Sequence, residues 1–229
     1  MAKSARVSDR RTDALTRERI VAAAIELLDA TGEKGLTFRA LALRLETGHG
    51  AIQWHIANKS ELVKAATAAV VAEALGEIDA AVSPREAIYA GALGIFDAID
   101  AHPWIGAELS RPPWQGTMMD LFELIGRQVQ ALGTPLPLQF TATTALLHYI
   151  IGASGQNATT SQSPFAGQDR QGVLDDLAGQ WQQLDPAAFG FTRSVAEQLR
   201  SHDDREEFLA GIDLLLMGTT SLSANAGAA

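Results

Sequence analysis

Apolar positions recur every three to four residues along most of this chain, and nowhere do they alternate with polar ones long enough to suggest a strand. Ile20, Ala24, Leu27 and Leu28 fall at i, i+4, i+7 and i+8, which predicts a helix over 16–31. Gly32 follows as a stop signal, and Gly35 frees the backbone ahead of Thr37, an N-cap for a second helix. Leu41 and Leu45 are one turn apart, as are Ile52 and Ile56. These pairs predict two short helices with one apolar stripe each, and the small Ala42 lets them cross closely. The pattern is that of a helix-turn-helix, which serves either as a plain hairpin in a bundle or as a unit that sets its second helix into the DNA major groove.

Beyond this stretch, Asn58-Lys59-Ser60-Glu61 reads as a capping-box variant opening a helix to about residue 81. Ser83-Pro84-Arg85-Glu86 opens the next, to about residue 101, with Ser at the N-cap, Pro at N1 and Glu at N3. A short helix is expected from Trp104, then helices over 114–132, 136–157, 172–183, 192–200 and 203–218. The Thr/Ser/Gln/Gly-rich stretch 157–168 reads as a loop. The fold class is therefore all-α. Residues 1–14, with Arg6, Arg10 and Arg11, are expected to form a flexible basic arm. Residues 15–65 form a three-helix head, joined by a connecting helix to a larger helical domain over 66–220, and 221–229 form a disordered tail. The helices over 136–157 and 203–218 carry few charges and must bury themselves in the fold or against a partner.

Charge sharpens this division. The net charge of −9 looks unsuited to a nucleic-acid partner until it is split. Residues 1–64 hold 11 basic and 8 acidic residues, whereas the remainder holds 7 basic and 19 acidic. A slightly basic head on an acidic body suits a head that faces phosphate. No cysteine is present, which excludes a disulfide framework, a thiolate metal site and a thiol nucleophile. Neither a secretory signal nor an apolar run of membrane-spanning length is evident, so a cytoplasmic protein with no membrane partner is expected.

The segment Gly35-Leu36-Thr37-Phe38-Arg39-Ala40-Leu41-Ala42, followed by Trp54-His55-Ile56-Ala57-Asn58-Lys59-Ser60-Glu61-Leu62, resembles the DNA-binding head of the TetR family of bacterial repressors over residues 16–65. The resemblance implies a homodimer on a palindromic double-stranded DNA operator, released by a small-molecule inducer. It places His49, Gly50, Ala51 and Gln53 nearest the bases and Arg39 within reach of a guanine. Thr37, His55 and Lys59 are matched to phosphate contacts. Trp54 is read as a packing residue whose indole N–H can reach phosphate. Two positions depart from the family pattern. Glu46 stands where the family has Gly in a left-handed conformation, with Gly48 offering another route for the turn, and Gln53 stands where the family commonly has Tyr.

For the body, the resemblance implies an inducer site and a four-helix dimer interface built from the helices near 136–157 and 203–218. Tyr89, Phe96, Trp104, Trp114 and Phe122 are five of 14 aromatic residues packed into a short stretch, with His102 and Met118 among them. Together with His148 they form the candidate ligand site for a partly apolar inducer, although each is individually better explained as core. Rival readings are a small-molecule- or protein-binding helical module with a vestigial DNA-binding head, and an all-helical enzyme. Glu46-Thr47-Gly48-His49 is the one Glu-x-x-His motif and spans the turn, and no phosphate-binding loop is present. No catalytic residue, metal or cofactor is therefore assigned.

Overall fold

A computed structural model describes residues 15–76, 83–111, 116–161 and 169–226. The described residues form helices α1 (Arg17–Gly35), α2 (Phe38–Arg44), α3 (His49–His55), α4 (Lys59–Leu75), α5 (Pro84–Ala101), α6 (Trp104–Leu109), α7 (Thr117–Ala131), α8 (Leu136–Ser161), α9 (Arg170–Gln183), α10 (Gly190–Arg200) and α11 (Asp204–Ala226), with no strand among them. The basic arm, Trp114 and residues 227–229 of the expected tail lie outside the described residues. None of these helices is long and apolar enough to cross a membrane.

The helix starts follow their local chemistry. Thr16 accepts from the Arg19 amide at 3.2 Å, Thr37 from the Ala40 amide at 3.0 Å, and Asn58 from the Glu61 amide at 2.9 Å. Ser83 and Glu86 form the reciprocal capping box expected at α5. Gly32 does break α1, with φ 65 and ψ −177, but the helix resumes and runs to Gly35. At the other end of the head, α4 stops at Leu75 before Gly76, earlier than residue 81.

Two stretches expected to be irregular are helical, and they share one feature. Helix α8 continues to Ser161 through the start of the expected 157–168 loop, and α11 continues to Ala226 through most of the expected 221–229 tail. Hydroxyl groups near these helix ends donate to the carbonyl four residues back: Thr159 to Gly155 and Ser223 to Thr219 within the two stretches, and Ser154 to Ile150, Thr219 to Leu215 and Thr220 to Leu216 just before them. Such back-bonding satisfies a small polar side chain on a helix without breaking the helix.

The core falls into two clusters. In the head, α1 to α4 close over Ile20, Ala24, Leu28, Leu41, Ile52 and Ile56, all essentially buried. In the body, α5, α7, α8 and α11 enclose a larger cluster that includes Ile88, Ile95, Ile99, Leu121 and Ile150. Ile25 and Trp104 pack against both clusters and mark the seam. Helix α4 crosses from head to body and meets α5 so closely that a Cβ at Gly94 would lie 2.4 Å from the Ala74 carbonyl oxygen. Helices α9 and α10 pack chiefly on each other.

Candidate nucleic-acid interface and effector cavities

The turn between α2 and α3 is built on a backbone conformation that glycine favours. Glu46 has φ 50, the one positive φ at a non-glycine residue among the described residues. Gly48 is extended at φ −85 and ψ 146 and does not re-route the turn. Amides of Glu46 and Thr47 bond back to Leu43 and Ala42 at 3.3 and 3.0 Å, holding the turn despite the strained residue.

Helix α3 has only seven residues, too few to be stable alone, so its contacts fix it. Ile52 and Ile56 are buried beneath it. The Arg17 guanidinium on α1 donates to the His55 carbonyl at 3.0 Å, at the C-terminal end where a cation is favoured. The same guanidinium pairs with Glu61 at 2.9 Å, and the other Glu61 oxygen accepts from the Ala57 amide at 2.9 Å. The Ala57 amide and then the Arg17 guanidinium hold the Glu61 carboxyl below its usual pKa. Arg17 and Glu61 thus clasp the end of α3 to the start of α4.

With Ile52 turned inward and His55 half-buried, the remaining residues of α3 face solvent. His49, Gly50, Ala51 and Gln53 are exposed, as are Thr37 and Arg39 on the α2 side. His49 lies against Phe38 with ring centroids 5.3 Å apart. Trp54, expected to pack, is 88% exposed. The reason is angular: two residues beyond Ile52 is about 200° round a helix, opposite the buried stripe. His55 is half-buried. Lys59, matched to a phosphate, donates to the Glu33 carbonyl near the end of α1 and so serves a structural bond.

The residues expected to form one ligand site are scattered. The Tyr89 hydroxyl bonds to Asp213 on α11 and accepts from Arg85 at 2.9 Å. His102 and Trp104 both bond to one oxygen of Asp29 on α1, at 2.7 and 2.8 Å, joining body to head. Because an ionised carboxylate only accepts, the His102 Nδ1 carries the hydrogen in this pair. Phe122 tilts against Phe140 at 5.9 Å, and His148 is exposed on α8. Phe96 and Met118 are buried but line different cavities.

One cavity, of about 430 Å³, lies between α5, α8, α9 and α11, with Phe96, Tyr149 and Phe208 as an aromatic wall. Burial, and then the Glu207 charge, push the Tyr149 hydroxyl pKa up, while that hydroxyl donates to the Phe208 carbonyl at 3.1 Å. The other, of about 610 Å³, lies where α4 of the head meets α6 and α7, lined by Lys64, Thr67, Leu109, Met118 and Asp120 among others. Thr67 is 1% exposed, and its hydroxyl has no hydrogen-bond partner. Sequence reasoning passed over Thr67, although a lone hydroxyl within an Ala/Val-rich helix was a readable signal. It also passed over Arg17, whose partners lie about forty residues away. No group of three or more His, Asp or Glu residues suited to a metal is present among the described residues.

No protein-family profile matches the chain. An HTH-type transcriptional regulator from Saccharopolyspora erythraea is 30% identical over 165 residues, covering 72% of this chain and 68% of the relative. The solved structure of the TetR regulator SCO7222 from Streptomyces coelicolor is 55% identical with a TM-score of 0.83, covering 92% of this chain and all of that one. At 22% identity and a TM-score of 0.75, the S. coelicolor protein ActR, solved in complex with actinorhodin, shares the fold over 93% of this chain and 98% of its own. The head with its buried Ile52 stripe, the helical body behind it and these likenesses agree: the chain belongs to the TetR family and is a transcriptional regulator rather than an enzyme.

Proposed function

We propose that the protein binds a palindromic DNA operator as a homodimer and is released from it by a small, partly apolar molecule. The observation that carries this reading is the recognition face: α3 is anchored by Ile52, Ile56 and Arg17, while His49, Gly50, Ala51 and Gln53 project to solvent together. A rigid short helix with exposed N-terminal residues suits the major groove, and Thr37 and Arg39 on α2 suit phosphate and guanine. Lys59 retains two further ammonium protons for phosphate besides its bond to Glu33.

Dimer formation is supported by exposed apolar residues on two helices that pack side by side. Leu136 and Phe140 on α8 are 78% and 68% exposed, and Leu214, Met217 and Leu222 form an exposed stripe on α11. A second copy offering the same two helices would cover them in a four-helix interface. The effector site this reading favours is the cavity between α4, α6 and α7, because a ligand there bears directly on the helix that carries the head. The unpartnered Thr67 hydroxyl supplies a buried polar anchor in a cavity whose walls mix Ala65, Ala68, Leu109 and Met118 with charged side chains such as Lys64 and Asp120. ActR, with actinorhodin bound, shares the fold and gives a precedent for a ligand-bound body. Ligand binding that favours a different head spacing lowers DNA affinity by linkage.

The test is selection of bound duplexes from fragmented genomic DNA, followed by gel shifts across a salt series and light scattering of the free protein. A two-fold-symmetric site bound by a dimer, with affinity falling steeply as salt rises, is expected. A monomer at micromolar concentration, or binding equal on all sequences, overturns the corresponding part of the reading.

A further inference from the structure

Leu43 is 82% exposed, whereas Leu41 on the same short helix is fully buried. The Leu43 side chain belongs to neither hydrophobic cluster. It follows Arg39 by four residues, so the two side chains leave the same face of α2, about 6 Å apart along its axis. With Thr37, Ala40, Ala42, Glu46 and Thr47 they line one shallow concavity on α2 and the turn that follows it. Its other lining mixes the Arg39 guanidinium and the Thr37 and Thr47 hydroxyls, which suit phosphates and base edges, with the Ala40 and Ala42 methyls and the Glu46 carboxyl. At 82% exposure the Leu43 isobutyl group is left mostly to solvent.

Stacked bases on one strand are about 3.4 Å apart, so a residue 6 Å beyond one that meets a base edge falls within two base steps of it. The only apolar group a base pair presents in the major groove is the C5-methyl of thymine. We propose that Leu43 takes up a thymine methyl within two base pairs of the base met by Arg39, so that α2 reads sequence alongside α3. The inference rests on the operator-binding reading above. It gives α2 two kinds of readout on one face, a hydrogen-bonding one at Arg39 and an apolar one at Leu43.

The experiment takes the duplex selected by the full-length protein and replaces its thymines one pair of symmetric positions at a time by uracil, which pairs identically but lacks the methyl. One position is expected at which the wild-type protein loses about fourfold in affinity per half-site, the value of one buried methyl. Leu43→Ala should bind the thymine and uracil duplexes there equally, and Leu43→Met should keep the preference for thymine. Since Leu43 is exposed, both variants should melt with the wild type, and the comparison within each variant needs no equal affinity between them. A scan in which no uracil penalty depends on Leu43, on a duplex the wild type selects, overturns the proposal. So does a Leu43→Ala variant that alters oligomeric mass and leaves the uracil penalty intact, which would assign the side chain to a protein contact. A wild type that selects no duplex at all overturns the operator reading itself, and that result is recognised before any uracil is introduced.

Discussion

In the head, three of four helices begin at a side chain that accepts the N3 amide, Thr16, Thr37 and Asn58, and the fourth, α3, is held by two isoleucines and a guanidinium from another helix. In the body, the dominant helices α8 and α11 run 26 and 23 residues, long enough to propagate by length, although Asp203 also caps α11 by accepting the Glu206 amide. The reading part of the head, α2 and α3, is therefore a pair of seven-residue pieces dependent on named local bonds, whereas α8 and α11 of the body rest on length and mutual packing. A short piece can hold a defined reading geometry, but it fails when one anchor goes. A long helix can shift as a unit without losing its own structure, which suits the part that takes up a ligand.

The sharpest way to break this contrast is Ile52→Ala. Ile52 is fully buried, and its truncation should cost the head about 2–5 kcal/mol. Hydrogen exchange is expected to show α2 and α3 losing protection while α8 keeps its own. Equal loss in α8 would mean that head and body unfold as one unit and that the contrast is only local. Next in size is Gly94→Ala, which drives a methyl group into the Ala74 backbone carbonyl where α4 meets α5. A loss of about 1–3 kcal/mol, felt in α4 and α5 together, is expected from calorimetry. A smaller change of opposite sign is expected at the turn. Glu46→Gly removes the side chain that makes φ 50 costly and should raise stability by about 1 kcal/mol. A lower melting temperature for this variant would show that the Glu46 side chain repays its strain.

The smallest effect is one of pH. Glu61 has a folded pKa below its ordinary 4.5, so the stability it contributes is present above 4.5 and lost as pH falls through the lower folded value. The pair is exposed, so the loss should be slight and weakened by salt. Glu61→Gln should flatten this part of the acid response, measured as the difference in melting temperature between the two proteins. An identical acid profile for both would remove the clasp from the account of how α3 is held.

What was legible in the sequence was mostly what depends on near neighbours. Thr37, Asn58 and Ser83 cap helices because the acceptor and its amide are three residues apart. Leu41, Ile52 and Ile56 are buried because their spacing makes a stripe. Glu46 takes the left-handed step at the position where the family resemblance placed a glycine. What was not legible depends on distant partners. Tyr89, His102 and Trp104 share a stretch of sequence, but Asp213 and Asp29 draw them to different parts of the molecule. Trp54 was misjudged because residue type was given more weight than helical angle. Residues 157–161 and 221–226 are helical where a loop and a tail are expected, because composition does not reveal whether a hydroxyl such as Thr159 or Ser223 bonds to its own helix or to water.

The Asp29 carboxylate, which receives both His102 and Trp104, has a practical consequence. An indole N–H held by a charged oxygen at the seam is a built-in optical probe, since any movement that parts α6 from α1 strips the indole of that partner and changes its emission. The chain has four tryptophans, Trp54, Trp104, Trp114 and Trp181. With the other three replaced by phenylalanine, Trp104 alone would report the head leaving the body, in real time and without an added label.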